Sequence, residues 1–182
     1  MGAINNNASV IYLTITDGKI CRRVQSPTNN SKERLTKDGR LIHEEQYSGW
    51  EGTIKNISTR ESDYGKDWVI EIWDGEVTAL LQFKYSSGYA SSFLKALPNV
   101  DLDIPVTISP KLQIDGDKKK AVIFLNQSGK AIKWHYTKDN PNGLPPLQQI
   151  KVKGVNTWDD SEMMEFLEDM VKNKMRENEA PF

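Results

Sequence analysis

The side chains in this sequence that could do chemistry are mostly cations and aromatic rings. Lys118, Lys119 and Lys120 follow one another after Asp115-Gly116-Asp117, with Lys111 upstream. Arg60, Tyr64 and Lys66 crowd the segment STRESDYGK, and Lys84 adjoins Tyr85. Trp73, Trp134 and Tyr136 add further rings. Ammonium and guanidinium groups neutralise phosphates, and flat rings stack on bases, so this set suits an unpaired nucleic-acid strand. Each ring has a competing use as core filling, and for Trp68 and Phe93 the core is the expected place.

Catalysis finds less support. A zinc site wants clustered Cys and His, whereas the chain has one cysteine, Cys21, and two histidines, His43 and His135. Cys21 with either histidine makes a conceivable nucleophile and base, but no local signature accompanies it. The acid pairs Glu44/Glu45 and Asp101/Asp103 read as solvated surface charge. The glycines stand singly in turns, with no phosphate-cradling pattern. The expectation is a non-enzymatic protein without a cofactor or metal.

The elements that must position these groups read as β-hairpins. Asp-Gly, the strongest short signal for a two-residue hairpin, occurs four times, at Asp17, Asp38, Asp74 and Asp115. The flanking runs alternate: Ile11, Leu13 and Ile15 oppose Tyr12, Thr14 and Thr16, and Val106, Ile108, Leu112 and Ile114 share a face. In WVIEIW, Trp68, Ile70 and Ile72 form an apolar face, leaving Trp73 outward with Val69 and Glu71. The segment SGYASSFLKAL places Tyr89, Phe93 and Leu97 on one side of a short helix, capped by Ser86 or Ser87 and ended by Pro98-Asn99. A second helix is expected from a capping box at Thr157 and Asp160, with a stripe of Met163, Leu167, Met170 and Val171 that either docks on the barrel, the favoured reading, or forms a self-association surface. Residues 25–33 and 139–146 read as loops.

From residue 48 the order is three strands (49–58, 67–73, 76–83), the first helix, then two strands (105–114, 120–127). That is the order of a five-stranded OB-fold barrel with a helix between strands three and four. The expected organisation is an N-terminal hairpin extension over 1–47, the barrel over 48–138, and a linker, helix and acidic tail over 139–182. AIKWHY at 131–136 would add a strand with Trp134 and Tyr136 on one face. In an OB-fold, strands two and three bind the ligand between the loop joining strands one and two and the loop joining strands four and five. Here those loops are STRESDYGK and DGDKKK, and both are cationic.

Charge is divided along the chain. Residues 158–182 carry a net of −5 and the remainder a net of +4. The last residues, RENEAPF, resemble the acidic tails of bacterial single-stranded DNA-binding proteins, which end in a Pro-Phe tip. The resemblance implies that Pro181 and Phe182 would dock in pockets of replication or repair partners. The segments YSSGYASSFLKALPNVDLDIPVTISP and NQSGKAIKWHYTKDNPNGLP resemble proteins of tailed bacteriophages labelled single-stranded DNA-binding or replication proteins. That resemblance runs over most of residues 10–171. It implies an OB-fold that coats and protects single-stranded DNA during phage replication or recombination, in the host cytoplasm. No apolar run approaches the roughly 20 residues of a membrane span, and MGAINNNASV has no signal-peptide character. The competing readings are a protein–protein module of the replisome or virion on the same barrel, and an RNA-binding barrel.

Overall fold

Alternating apolar residues and tight turns set the architecture, as seen in a computed structural model that describes residues 9–179. The strands are β1 (Val10–Thr16), β2 (Lys19–Val24), β3 (Ser31–Leu35), β4 (Leu41–Tyr47), β5 (Trp50–Ser62), β6 (Gly65–Trp73), β7 (Thr78–Lys84), β8 (Val106–Asp115), β9 (Lys118–Gln127), β10 (Lys130–Ala131), β11 (Gln148–Val152) and β12 (Val155–Asp159). Helix α1 spans Gly88–Ala96 and α2 spans Ser161–Glu179. Among the described residues, ten strands join one mixed sheet in the order β10-β9-β8-β5-β6-β7-β1-β2-β4-β3, while β11 and β12 form a separate ribbon.

The chain is therefore mainly β, but the expected five-stranded closed barrel is not what forms. The five strands expected for the barrel are consecutive neighbours, β7-β6-β5-β8-β9, yet β7 takes β1 as a parallel partner, with Leu13 level with Leu81. The residues expected to form an appended hairpin thus supply four strands of the same sheet. On the far side, the Ile123 N–H of β9 points away from β8 and donates to Ser92 Oγ of α1 at 2.7 Å. A helix side chain satisfies the donor that a closing strand would otherwise take. Opposite Ile123 stands Pro110, whose missing N–H falls where the β5–β8 ladder has already stopped at Ile108.

The sheet still curls strongly. A Cβ on Gly52 would lie 2.6 Å from the Trp73 carbonyl oxygen, and the β5–β6 register shifts between Ile54 and Asn56. A bulge of this kind bends its strand and increases its twist. Just before it β5 changes partner, with Trp50–Gly52 paired to β8 and Thr53–Ser62 to β6. The curl brings the Asp17-Gly18 turn against β8, where a Cβ on Gly18 would meet the Leu112 nitrogen at 2.5 Å.

The core lies inside this curl. Leu13, Ile70, Ile72, Leu81 and Ile108 are completely buried from the sheet, and Phe93, Leu94 and Leu97 from the first helical segment. Phe93 meets Phe83 edge-on at 5.8 Å. Ser87 caps α1 by accepting from the Ala90 N–H at 3.1 Å, as the sequence leads one to expect. Helix α2 docks through Met163, Met164, Leu167 and Val171, all buried, with Met170 half-buried. Its start differs from expectation. Thr157 lies in β12, and Asp159 Oδ1 instead accepts from the Ser161 N–H at 3.1 Å. Residues 31–33, expected as part of a loop, join Arg34 and Leu35 in β3, which pairs with β4. The strand expected at 131–136 shrinks to Lys130–Ala131. No described helix is long and apolar enough to cross a membrane.

Candidate nucleic-acid interface

Side chains alternate across a strand, so the buried face of β6 and β7 fixes what its other face must show. Trp68, Ile70 and Ile72 point inward. Outward go Asp67, Val69, Glu71 and Trp73, level with Lys84, Gln82, Leu80 and Thr78 of β7. The parallel pairing of β1 extends this wall, setting Tyr12 beside Leu80 and Val10 beside Thr78. Tyr12 is 66% exposed and Trp73 37%. Their strands flank β7, about 10 Å apart at two strand spacings, and Trp73 is level with Val10, two residues along β1 from Tyr12.

Cations border the wall. Leu13 pairs with Arg22, which puts exposed Arg23 level with Tyr12. A groove of about 680 Å³ opens at the strand ends there, lined by Val10, Tyr12, Arg22, Arg23, Leu41 and His43. Arg60 is exposed on β5, paired in register with Asp67. Lys84 Nζ lies 2.9 Å from Asp67 Oδ1 and donates to the Tyr64 carbonyl at 3.1 Å. Glu44 is buried on the same face, where Arg34 donates to it twice, at 2.9 and 2.6 Å. Paired in this way, Glu44 is a structural anion rather than a repulsive one.

The other expected site residues divide into three groups. Tyr64 is 89% exposed at the tip of the β5–β6 hairpin. Lys111, Lys118 and Lys120 share one face of the β8–β9 hairpin, while Lys119 lies on the other with Ile114. Because β8 runs antiparallel to β5, this hairpin and the β5–β6 tip leave β5 at opposite ends. Exposed Trp134 stands in an irregular segment, with Lys95 Nζ 5.6 Å from its ring centre. Burial pushes the Lys95 ammonium down from its ordinary value.

Besides Lys84, held by Asp67 and the Tyr64 carbonyl, three expected contacts are occupied by the protein itself. Lys66 Nζ donates to Glu168 Oε2 of α2 at 2.7 Å and lies 4.1 Å from the Tyr85 ring centre. The Tyr85 hydroxyl donates to the same oxygen at 2.7 Å, and its ring stacks on Trp68 at 5.3 Å. Burial, aided by the Glu168 charge, pushes the Tyr85 phenol well above its ordinary range. Tyr136 is 6% exposed, edge-on to Phe166 of α2 at 5.6 Å. By type and position in the sequence Lys66, Tyr85 and Tyr136 group with the free cations and rings, because nothing local reveals that α2 covers them. Pro181 and Phe182 lie outside the described residues.

Tyr12, Arg22 and Arg23 were absent from the expected site. The alternation of VIYLTIT already put Tyr12 on a polar face, but its value depends on the β1–β7 pairing, which no local pattern announces. Among the described residues, no group of three or more His, Cys, Asp or Glu side chains is placed to hold a metal ion. Comparison with protein-family models, with curated proteins and with solved structures finds no match to this chain.

Proposed function

We propose that this chain binds single-stranded DNA without strong sequence preference, across the outer wall formed by β6, β7 and β1. The observation that carries the reading is the pair of outward rings, Trp73 and Tyr12, on the two strands flanking β7, with Arg22 and Arg23 lining the groove beside Tyr12. Rings on a β surface give bases a stacking platform, and guanidinium groups take the phosphates. Lys111, Lys118 and Lys120 extend the cationic surface along the β8–β9 hairpin. DNA as the nucleic acid, and protection of the strand in replication or recombination as the role, belong to this proposal and follow only the resemblance read from residues 85–110 and 126–145, which no comparison matches.

A titration with oligo-dT tests the proposal. Stacking contributes about 1–3 kcal/mol per base. Neutralising about five phosphates gives a slope of log K against log salt near −3.5. Binding that ignores salt, or no binding at all, rejects it. A protein–protein module is the second reading, favoured by the exposed apolar pair Leu35 and Leu41 at the outer edge of the sheet. A gel-shift panel of single-stranded DNA, duplex DNA and RNA separates the readings: retention of none favours the module, and equal retention of RNA removes the DNA assignment.

A further inference from the structure

The ribbon β11–β12 has no assigned role and an unusual surface. Lys153 and Gly154 both adopt positive φ, 48° and 83°, which closes a two-residue hairpin of the twist-matched kind. All five residues of β11 and four of the five in β12 are exposed. Gln148 Nε2 donates to Glu162 Oε2 of α2 at 2.7 Å, tying the base of the ribbon beside that helix. A two-stranded hairpin is marginal by itself, and this one reaches away from the core.

Its register sorts the side chains. Ile150, Val152, Val155 and Thr157 share one face; Gln149, Lys151, Asn156 and Trp158 share the other. Trp158 is 66% exposed. It pairs directly with Gln149 and sits diagonally from Lys151, within reach of a long side chain. The ribbon, residues 148–159, carries Lys151 and Lys153 toward its tip and one acid, Asp159, at its base, in a chain whose net charge is −1.

We propose that this ribbon is a second contact for a single-stranded nucleic acid, resting on the function proposed above. Trp158 stacks on a base, Lys151 and Lys153 take phosphates, and Gln149 and Asn156 offer amides to base edges or sugars. Charge complementarity favours a polyanion over a second copy of the chain, because two ribbons meeting around a twofold axis would bring their lysines together. Area argues the same way. Stable protein interfaces cover about 800 Å² per partner, and the apolar face offers only Ile150, Val152 and Val155.

The test uses the full chain, with dT30 as a strand long enough to reach both surfaces and dT8 as one confined to a single surface. Trp158→Ala is expected to weaken dT30 binding roughly five- to 150-fold, the range that follows from one lost stack. Lys151→Glu with Lys153→Glu is expected to flatten the salt slope by about 1.4. Both variants keep wild-type affinity for dT8. Tyr12→Ala, on the outer wall, weakens both oligomers. If the ribbon variants hold dT30 like the wild type while Tyr12→Ala does not, the ribbon inference fails and the outer-wall site stands. If the wild type binds neither oligomer, the functional proposal itself falls and takes the ribbon contact with it. A change of mass in light scattering, with dT30 affinity intact, assigns the ribbon to protein contact and overturns the inference.

Discussion

Glu168 of α2 accepts from Lys66 Nζ and from the Tyr85 hydroxyl at one oxygen, each at 2.7 Å, and its other oxygen lies 3.2 Å from Lys172 Nζ. A helix whose sequence segment is acidic is thus fastened over a cation and a ring that would otherwise face solvent. Burial alone would raise the Glu168 carboxyl, but the hydrogen bonds from Lys66, Tyr85 and Lys172 outweigh it and bring it down to about 2. The depressed value means that Glu168 stabilises the fold fully above its ordinary carboxylate pKa. That contribution disappears as pH falls from about 4.5 toward 2. Thermal melts across that window should show stability lost on acidification in the wild type, and a flatter response in Glu168→Gln.

Lys66→Ala should act on stability before it acts on binding. It leaves Glu168 half-buried without its closest cation, at a cost of about 1.5–3 kcal/mol for a hydrogen bond to a charged group. Chemical denaturation checks this. A variant that melts like the wild type but loses affinity for oligo-dT would return Lys66 to the binding surface.

Tyr12→Ala and Trp73→Ala should show the opposite pattern. Both rings face outward, so melting points should barely move, while oligo-dT affinity falls by about 1–3 kcal/mol for each lost stack. Fluorescence anisotropy at fixed salt reads this directly.

Tyr136 separates packing from contact with a ligand. Its ring is buried against Phe166 and His135, so Tyr136→Ala should cost about 3–5 kcal/mol, as large aromatic deletions in cores do. Tyr136→Phe keeps the ring and should preserve both stability and binding, as read by melts and titration together.

Gly88 begins α1 with its backbone against β9. A Cβ there would lie 2.3 Å from the Ala121 carbonyl oxygen, a backbone atom that cannot swing away. Gly88→Val should therefore destabilise the fold or prevent soluble expression, whereas Gly39→Ala, with nothing within 4 Å, carries only the strain of its positive φ. Denaturation midpoints of the two variants rank the effects.

Cys21 should be unreactive while the chain is folded. It is 1% exposed, and burial, with the nearby Glu44 charge, pushes its thiol above the ordinary value. A colorimetric thiol reagent should label it slowly in buffer and fully in denaturant. Rapid labelling of the folded chain would contradict its placement.

Much of this molecule could be read locally. Alternation in WVIEIW sent Trp68 inward and Trp73 outward, because a strand's period of two leaves no other choice once one face is apolar. Asp17-Gly18 marked a turn because few residues tolerate positive φ at both positions. Ser87 marked a helix start because its hydroxyl can take a free N–H. Ile150, Val152, Val155 and Trp158 went unread as a ribbon, since Lys-Gly is a weaker turn signal than Asp-Gly and the segment lies between a loop and a helix.

What one residue and its neighbours decide, the sequence determined by itself: which face of each alternating strand is apolar, where the Asp-Gly turns fall, and that residues 161–179 form an amphipathic acidic helix. Tertiary structure alone decided which strand lies beside β7, that Ser92 rather than a strand takes the Ile123 N–H, and that Glu168 claims Lys66 and Tyr85. Those choices compare the burial and hydrogen bonding available to partners distant in the chain. Such a comparison is made only when the whole sheet curls around one core, so no local pattern can carry it.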